Sequence, residues 1–265
     1  MQDGSGFARA VQPVSATTIH TGDEGLAVAD VKIPVGGVGM PAYCAMPEKG
    51  VDLPVIVVLH EIFGVHEHIR DVCRRLAKLG YLAIAPELFW RSGDVSQMSD
   101  TQQIMTNVVA KTADAQVIRD IDATLDFAAS TAQADLTRAG VTGFCWGGRL
   151  AWLYASESDR IRTAVAWYGR MVGAADDLHP RNPVDVVATL RHPVLGLYGG
   201  EDRSIPLDTI DKMRAACSTL GKNVEIVVYP DAGHAFFADY RPSYNKPAAE
   251  DAWRRMTNWF KQYLR

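Results

Sequence analysis

Short apolar segments alternate with segments of helical spacing along most of this chain, and this alternation restricts its fold more than any other feature. The apolar segments are 54–60, 81–86, 141–144, 163–168, 193–198 and 224–229. The segments with helical spacing are 69–79, 102–130 with a break near Lys111, 149–157, 207–220 and 248–264. Continuous apolar runs are typical of parallel strands buried on both faces. The chain is therefore predicted to adopt an α/β fold with a mainly parallel, doubly wound sheet flanked by helices.

The N-terminal part of the chain departs from this pattern. Segments 26–33 and 40–46 resemble two strands joined by the turn at Gly36-Gly37, which predicts an antiparallel hairpin at the edge of the sheet. Residues 1–15 show no period and are expected to form a loosely held lead-in, with 1–24 as an N-terminal extension. The polar residues 91–101 are expected to form a surface loop. No linker interrupts the pattern, so we expect one domain over 1–265.

Composition and charge exclude several functional classes. The net charge of −4 gives no reason to expect nucleic acid or an anionic membrane surface as a partner. No apolar run approaches the ~20 residues of a membrane span. Residues 1–6 lack both a basic region and an apolar region, which argues against a signal peptide. The 4 cysteines are far apart, which disfavours zinc or disulfides and predicts a reducing cytoplasm.

The segment Gly143-Phe144-Cys145-Trp146-Gly147-Gly148 links an apolar strand to a helix. It has the form of the glycine-flanked elbow that presents a nucleophile at a sharp strand-to-helix turn, with cysteine in place of serine. The N-terminal end of the following helix favours a thiolate at that position. The alternative is a buried, inert cysteine in a glycine-rich turn.

Two further polar residues follow predicted strands. Asp202 comes after the strand 193–198, and His234 comes after the strand 224–229. Taken singly, Asp202 could cap a helix and His234 could be an exposed loop residue. Nucleophile, acid and histidine in this order, each just beyond a parallel strand, are typical of α/β-hydrolases. The order therefore predicts a catalytic triad of Cys145, His234 and Asp202.

The segment His60-Glu61-Ile62-Phe63-Gly64 lies beyond the strand 54–60. In α/β-hydrolases this turn and the residue after the nucleophile supply oxyanion-hole N–H groups, which predicts Ile62 and Trp146 as donors. A carboxylate would oppose an oxyanion, so Glu61 is expected to face the thiol instead. The alternative is a glutamate that points to solvent or pairs with a surface arginine.

Other residues of the same region have less specific signals. His60 is expected to form hydrogen bonds within the turn, and Tyr168 either lines the pocket or packs in the core. The remaining cysteines are predicted to be core thiols: Cys44, Cys73 and Cys217. His66 and His68 are two positions apart, the wrong spacing for one helix face, so no metal site is predicted.

The motifs around residues 60–64, 143–148, 199–202 and 233–236 together resemble the dienelactone hydrolase family, the carboxymethylenebutenolidases of the α/β-hydrolase superfamily. The resemblance runs from about residue 25 to the C-terminus. It implies hydrolysis of an enol-lactone to a maleylacetate-type acid in (chloro)catechol breakdown, by a monomer that needs no cofactor. It also implies that Glu61 takes the thiol proton when substrate binds.

The resemblance further implies arginines that hold the substrate carboxylate. Arg91 matches one such position. The second arginine follows the catalytic histidine closely in the family, whereas this chain has Ala235-Phe236-Phe237-Ala238, so that Arg241 is the nearest candidate.

The residue types by themselves are sufficient for a complete hydrolytic cycle. A thiolate at Cys145 attacks the carbonyl, and His234, oriented by Asp202, activates the water that hydrolyses the thioester. A broader carboxylesterase or thioesterase on the same scaffold is the nearer alternative. A non-enzymatic binding or redox-sensing thiol protein is the more distant one.

Overall fold

The computed structural model describes residues 6–131 and 133–265. Its strands are β1 Leu26–Val35, β2 Val38–Pro47, β3 Leu53–Leu59, β4 Leu82–Pro86, β5 Ala134–Phe144, β6 Thr163–Trp167, β7 Val194–Gly199 and β8 Val224–Tyr229. Its α-helices are α1 Glu67–Lys78, α2 Thr101–Asn107, α3 Asp114–Ala129, α4 Trp146–Glu157, α5 Leu207–Thr219 and α6 Lys246–Tyr263.

All these strands belong to one 8-stranded sheet with the order β1-β2-β4-β3-β5-β6-β7-β8. The pairs β1–β2 and β2–β4 are antiparallel, and all other neighbouring pairs are parallel. The prediction of an α/β-hydrolase fold with an antiparallel edge hairpin is confirmed. The central strands β3 and β4 are almost entirely buried because helices cover both faces.

The helices follow the predicted apolar periodicity. Helix α1 buries Ile69, Val72 and Leu76 on the side that faces the sheet. The predicted break near Lys111 is confirmed, since a single 3₁₀ turn at Val109–Lys111 separates α2 from α3. Two further 3₁₀ turns, Trp90–Ser92 and Val95–Gln97, lie within the expected surface loop. None of the helices in the described ranges has the length and apolarity needed to cross a membrane.

The N-terminal segment is attached more firmly than predicted. Ala8 and Val11 are buried, and the ring of Phe7 lies 5.3 Å from that of Tyr240. The Arg9 N–H donates to the Ser96 carbonyl over 3.1 Å, and the Val14 N–H donates to the Tyr240 carbonyl over 2.8 Å. The expectation of a loosely held lead-in is therefore wrong for residues 6–15, while residues 1–5 lie outside the described range. Backbone bonds to distant loops leave no periodic signal in the sequence.

Candidate active site

Polar side chains converge at the edge of the sheet where the parallel strands end. The ends of neighbouring strands are in register, as shown by the pairs Leu59–Gly143, Phe144–Trp167 and Gly199–Tyr229. The loops that follow β3, β5, β6, β7 and β8 therefore leave the sheet side by side. They carry the residues Glu61, Cys145, Tyr168, Asp202 and His234.

Cys145 lies at a strained turn between β5 and α4. Its backbone has φ 53° and ψ −112°, a conformation that side-chain-bearing residues rarely adopt. The glycines around it permit close packing of backbone on backbone. A Cβ at Gly147 would lie 2.4 Å from the Leu59 carbonyl oxygen, and one at Gly143 would lie 2.1 Å from the Gly147 oxygen. Strand and helix can therefore approach this closely only with glycine at both positions, which places the thiol above the sheet edge.

The side chains of Cys145, His234 and Asp202 form a continuous chain of contacts. His234 Nε2 lies 3.2 Å from Cys145 Sγ, and His234 Nδ1 lies 2.7 Å from Asp202 Oδ2. The other carboxylate oxygen of Asp202 accepts hydrogen bonds from the backbone N–H of Ser204 at 2.9 Å and from its hydroxyl at 2.6 Å. The structure thus brings together the residues that the sequence predicts as a triad, in the relative arrangement of nucleophile, base and orienting acid.

The hydrogen bonds of this triad stabilise the charged forms of His234 and Asp202. Burial acts to lower the pKa of His234, but the hydrogen bonds with Asp202 and Cys145 outweigh it and raise the pKa to about 10. Burial acts to raise the pKa of Asp202, but the hydrogen bond with His234 outweighs it, so that this pKa is lowered. A protonated imidazole next to Sγ stabilises a thiolate.

The other three cysteines are buried, as predicted. Burial raises the pKa of Cys44 and of Cys217 to about 11, and it raises that of Cys73 further. Cys145 is the cysteine with a partly exposed side chain and a basic partner.

Glu61 is buried at the base of the same cavity, with 1% of its surface exposed. The alternative of a solvent-facing glutamate is therefore wrong. Its Oε2 accepts a hydrogen bond of 2.6 Å from the Tyr240 hydroxyl, and within the described ranges its Oε1 has no hydrogen-bond partner. The hydrogen bond to Cys145 Sγ comes from His234, so Glu61 reaches the cavity without being the group bonded to the thiol.

Ile62 and Trp146 line the cavity beside Cys145. Trp146 is the first residue of α4, where a backbone N–H has no acceptor within the helix. Among the turns and loops of the described chain, neither the Ile62 N–H nor the Trp146 N–H donates to a backbone carbonyl. Both predicted oxyanion donors are therefore available to a ligand. Behind them, His60 bonds within the turn as predicted, with Nδ1 at 2.5 Å from the Glu61 carbonyl oxygen.

The cavity above Cys145 has a volume of about 710 Å³. Tyr168 lines it and is also packed in the core, with φ 37° and its ring 5.3 Å from that of His234. Arg241 lines it as well, with its guanidinium 5.6 Å from the ring centre of Phe63. Burial opposes the charge of Arg241, but Glu61 and Tyr240 outweigh it and raise the pKa of the guanidinium. In the described part of the chain no carboxylate forms an ion pair with Arg241.

Arg91 does not lie in this cavity. Its guanidinium forms a bidentate ion pair with Asp120, at 2.6 Å and 2.9 Å, and it covers the ring of Trp90 at 4.2 Å. Asp120 is fully buried on α3 and needs a counterion there. The position of Arg91 therefore argues against the predicted role in binding a substrate carboxylate. Of the two arginines predicted to bind a substrate carboxylate, Arg241 is the one that lines the cavity.

Sequence reasoning missed Tyr240 and Ser204. Ser204 follows Asp202 by two positions, and this spacing is the local signal by which an Asx turn is recognised. Tyr240 has no such signal, because its partner Glu61 lies far away in the chain. Residues of the N-terminal segment, including Val11, were also missed as part of the cavity wall.

Comparison with known proteins agrees with this geometry. Residues 40–264 match the model of the dienelactone hydrolase family. A protein of Methylorubrum extorquens that is provisionally named a carboxymethylenebutenolidase is 58% identical over 260 residues, covering 98% of this chain and 89% of that protein. A protein of Escherichia coli with the same provisional name is 50% identical, covering 98% of this chain and 96% of that protein.

A solved structure supports the same relationship. The crystal structure of a provisionally named dienelactone hydrolase from Klebsiella pneumoniae is 50% identical and has a TM-score of 0.88, covering 90% of this chain and 99% of that chain. The fold, the sequence motifs and these relatives agree. The chain therefore belongs to the dienelactone hydrolase family of carboxylic-ester hydrolases.

Proposed function

We propose that this protein hydrolyses an activated ester bond, in the first place that of an enol-lactone bearing a carboxylate, through a thioester at Cys145. The observation that carries this proposal is the chain of contacts from Asp202 through His234 to Cys145 Sγ, at 2.7 Å and 3.2 Å. The strained elbow and the unpaired N–H groups beside it support a nucleophilic rather than a structural thiol.

In the first half of the reaction, Sγ attacks the lactone carbonyl carbon. The oxyanion accepts hydrogen bonds from Ile62 and Trp146, each of which is worth about 2.7–4 kcal/mol to the transition state by analogy with other oxyanion holes. Cleavage of the ring C–O bond releases an enolate, a good leaving group that the His234 imidazolium protonates. The resulting enol then tautomerises to a ketone, while the acyl carbon remains bonded to Sγ as a thioester.

In the second half, the now neutral His234 removes a proton from water as the water attacks the thioester carbonyl. The C–S bond breaks, the acid leaves, and Cys145 returns to the thiolate paired with the His234 imidazolium. Asp202 keeps Nδ1 as a donor throughout.

Arg241 is proposed to bind the substrate carboxylate, because it is a cation that lines the cavity and no carboxylate in the described ranges is paired with it. Glu61 is proposed to accept and release a proton during the reaction through Oε1, which has no hydrogen-bond partner among the described residues. In this structure the hydrogen bond to Cys145 Sγ comes from His234. We therefore propose that Glu61 exchanges a proton with the substrate or with water more directly than with the thiol. The enzyme's place is proposed to be (chloro)catechol breakdown in the cytoplasm, which suits its free thiols.

A broader carboxylesterase or thioesterase activity is the second candidate. It is favoured by the ion pair of Arg91 with Asp120, which leaves the cavity with one of the two expected carboxylate-binding arginines. A substrate with no free carboxylate would then be turned over as well as a lactone acid.

The test is the rate of dienelactone hydrolysis, followed by loss of ultraviolet absorbance, for the parent, for Cys145→Ala and for the matched control Cys217→Ala. We expect a kcat/KM within about 10⁴–10⁸ M⁻¹s⁻¹ for the parent, loss of activity in Cys145→Ala, and retention in Cys217→Ala. A parent that is inert towards the lactone but cleaves p-nitrophenyl acetate through Cys145 would leave the esterase candidate. Unchanged hydrolysis in Cys145→Ala would overturn the thioester mechanism.

A further inference from the structure

The cavity above Cys145 is larger than a simple lactone acid requires. A monocyclic lactone acid of about ten non-hydrogen atoms occupies at most roughly 300 Å³, if each atom is given the volume of one water molecule in the liquid. The cavity measures about 710 Å³. More than half of it is therefore free once such a molecule is bound, and cavities of this size generally hold larger ligands.

The part of the wall that the reaction does not use is mainly apolar. It includes Ala10 and Val11 of the N-terminal segment and Met105, Val109 and Ala110 of α2 and the following turn. Val11 is 7% exposed and is fixed by the hydrogen bond of its N–H to the Ala8 carbonyl, 2.9 Å away. The match to the family model begins at residue 40, so the N-terminal side of this wall lies outside the matched core.

Two of the basic groups that line the cavity have acidic partners, and Arg170 is a further cation of the lining. Arg149 is paired with Asp114 at 2.6 Å, and His179 lies 3.0 Å from Asp176. Burial raises the pKa of Tyr168 in the cavity wall, Glu61 raises it further, and Arg241 opposes both. The cavity therefore combines charged groups near Cys145 with the apolar side chains named above.

The direction of the reaction assigns the apolar wall to one side of the scissile bond. The leaving oxygen must lie near His234 Nε2, because that nitrogen protonates it. The acyl group, in contrast, stays bonded to Cys145 Sγ as the thioester until water attacks, so it is the part of the substrate that the cavity wall must hold. Phe63 of the loop after β3 and Val11 border the same cavity.

We propose that this region is a subsite for a bulky apolar acyl group, and that the substrate is an ester or lactone whose acyl side carries such a group against Val11 and Met105. This inference rests on the proposed function and names its substrate class. Each methylene buried against the wall adds to binding, so longer acyl chains are hydrolysed and bound better than short ones.

The experiment compares p-nitrophenyl acetate with p-nitrophenyl hexanoate. For the parent, we expect a kcat/KM at least tenfold higher with the hexanoate. In Val11→Trp and in Met105→Trp, which fill the subsite, the ratio of the two values should fall at least fivefold. Val38→Trp is the matched control, because Val38 is 57% exposed on the edge hairpin and does not border the cavity, and it should keep the parent ratio.

The same esters are also titrated onto Cys145→Ala, with quenching of tryptophan fluorescence as the measure of Kd. A tenfold lower Kd for the hexanoate than for the acetate, with this difference lost when Val11→Trp is added, supports the subsite. This holds even if the parent hydrolyses neither ester. In that case the proposed function falls and the subsite stands. The subsite is overturned if the hexanoate is bound and hydrolysed no better than the acetate. A preference for the hexanoate that both tryptophan substitutions leave intact overturns it as well.

Discussion

The hydroxyl of Tyr240 donates a 2.6 Å hydrogen bond to Oε2 of Glu61, although the two residues are 179 positions apart. Both side chains are buried, and His66 Nε2 lies 3.5 Å from the same hydroxyl. The ring of Phe7 covers Tyr240 and His66, at 5.3 Å and 5.6 Å. One oxygen of the carboxylate is thus held by the protein, and the other is buried and has no hydrogen-bond partner within the described ranges.

Replacing Tyr240 by Phe should lower both stability and activity. The substitution removes the donor to a buried carboxylate, and losing such a charged hydrogen bond costs about 1.5–3 kcal/mol of the free energy of unfolding. We expect kcat to fall by at least tenfold because Glu61 is no longer oriented. Urea denaturation and steady-state kinetics measure the two effects.

The matched control is Tyr229→Phe. The hydroxyl of Tyr229 also donates to a carboxylate, that of Asp251 at 2.9 Å, but this acceptor is partly exposed and also paired with Arg255. Its loss should cost about 1 kcal/mol or less and leave kcat unchanged. Equal effects of the two substitutions on kcat would show that Tyr240 does not act through Glu61.

Alkylation of the folded protein should modify Cys145 alone. Burial raises the pKa of the other three thiols, whereas Cys145 is partly exposed and bonded to His234. With iodoacetamide at pH 7 we expect one label per chain in native buffer and four in denaturant, counted by mass spectrometry. His234→Ala should slow the labelling by at least tenfold. A second label in native buffer would contradict the burial of the remaining cysteines.

The stability supplied by His234 should depend on pH in a defined direction. Its pKa is raised from 6.5 to about 10 in the folded state by Asp202 and Cys145. Its contribution is therefore complete below pH 6.5 and is lost as the pH rises through about 10. The difference in free energy of unfolding between the parent and His234→Gln should shrink from pH 6 to pH 10. Urea titrations at pH 6, 8 and 10 measure it, and a difference that grows with pH is the contrary result.

Replacing Arg91 by Gln should lower the stability of the fold, whereas replacing Arg241 by Gln should weaken the binding of a substrate carboxylate. Arg91→Gln leaves the buried Asp120 without its counterion, so we expect a loss of stability near the low end of about 3–5 kcal/mol. Arg241→Gln should raise KM for a lactone acid by at least tenfold and leave KM for p-nitrophenyl acetate within about twofold. Calorimetric unfolding and kinetics on both substrates separate the two. A large increase in KM in Arg91→Gln would restore its predicted role in binding.

The elbow should not accept even one methyl group. In Gly147→Ala the new Cβ would lie 2.4 Å from the Leu59 carbonyl oxygen and 2.6 Å from the His60 carbonyl oxygen. We expect loss of activity and a large loss of stability, since neither chain can yield without moving the sheet. Gly221→Ala is the control, because its φ of +60° costs about 1–2 kcal/mol but its Cβ meets no atom. Thermal unfolding distinguishes a steric clash from backbone strain.

The sheet and the triad could be predicted because they depend on local patterns. Apolar runs identify parallel strands, parallel strands end at one edge, and chain order then brings Cys145, Asp202 and His234 together. The partners of Arg91 and Glu61 could not be predicted in this way. Each is a contact between distant parts of the chain, with Asp120 on α3 and with Tyr240 after β8, and neither position carries a motif.

The attachment of the N-terminal segment could not be predicted for a related reason. Phe7, Ala8 and Val11 do not follow the period of a helix or a strand, so nothing in the sequence indicates that they are buried. Their attachment consists of single backbone bonds to Ser96 and Tyr240 and of aromatic contacts. Such contacts become visible only when the loops they join are placed in space.

Val11 and its neighbours offer positions at which the choice of substrate can be engineered. The reacting groups are fixed by the ends of the strands, whereas the proposed wall for the acyl group is carried partly by a segment that belongs to no strand of the sheet. Substitutions at residues 10–12 can therefore alter which molecules enter without displacing the thiol or its base. A library confined to these positions separates the choice of substrate from the rate of bond cleavage, and either property can be selected while the other is held constant.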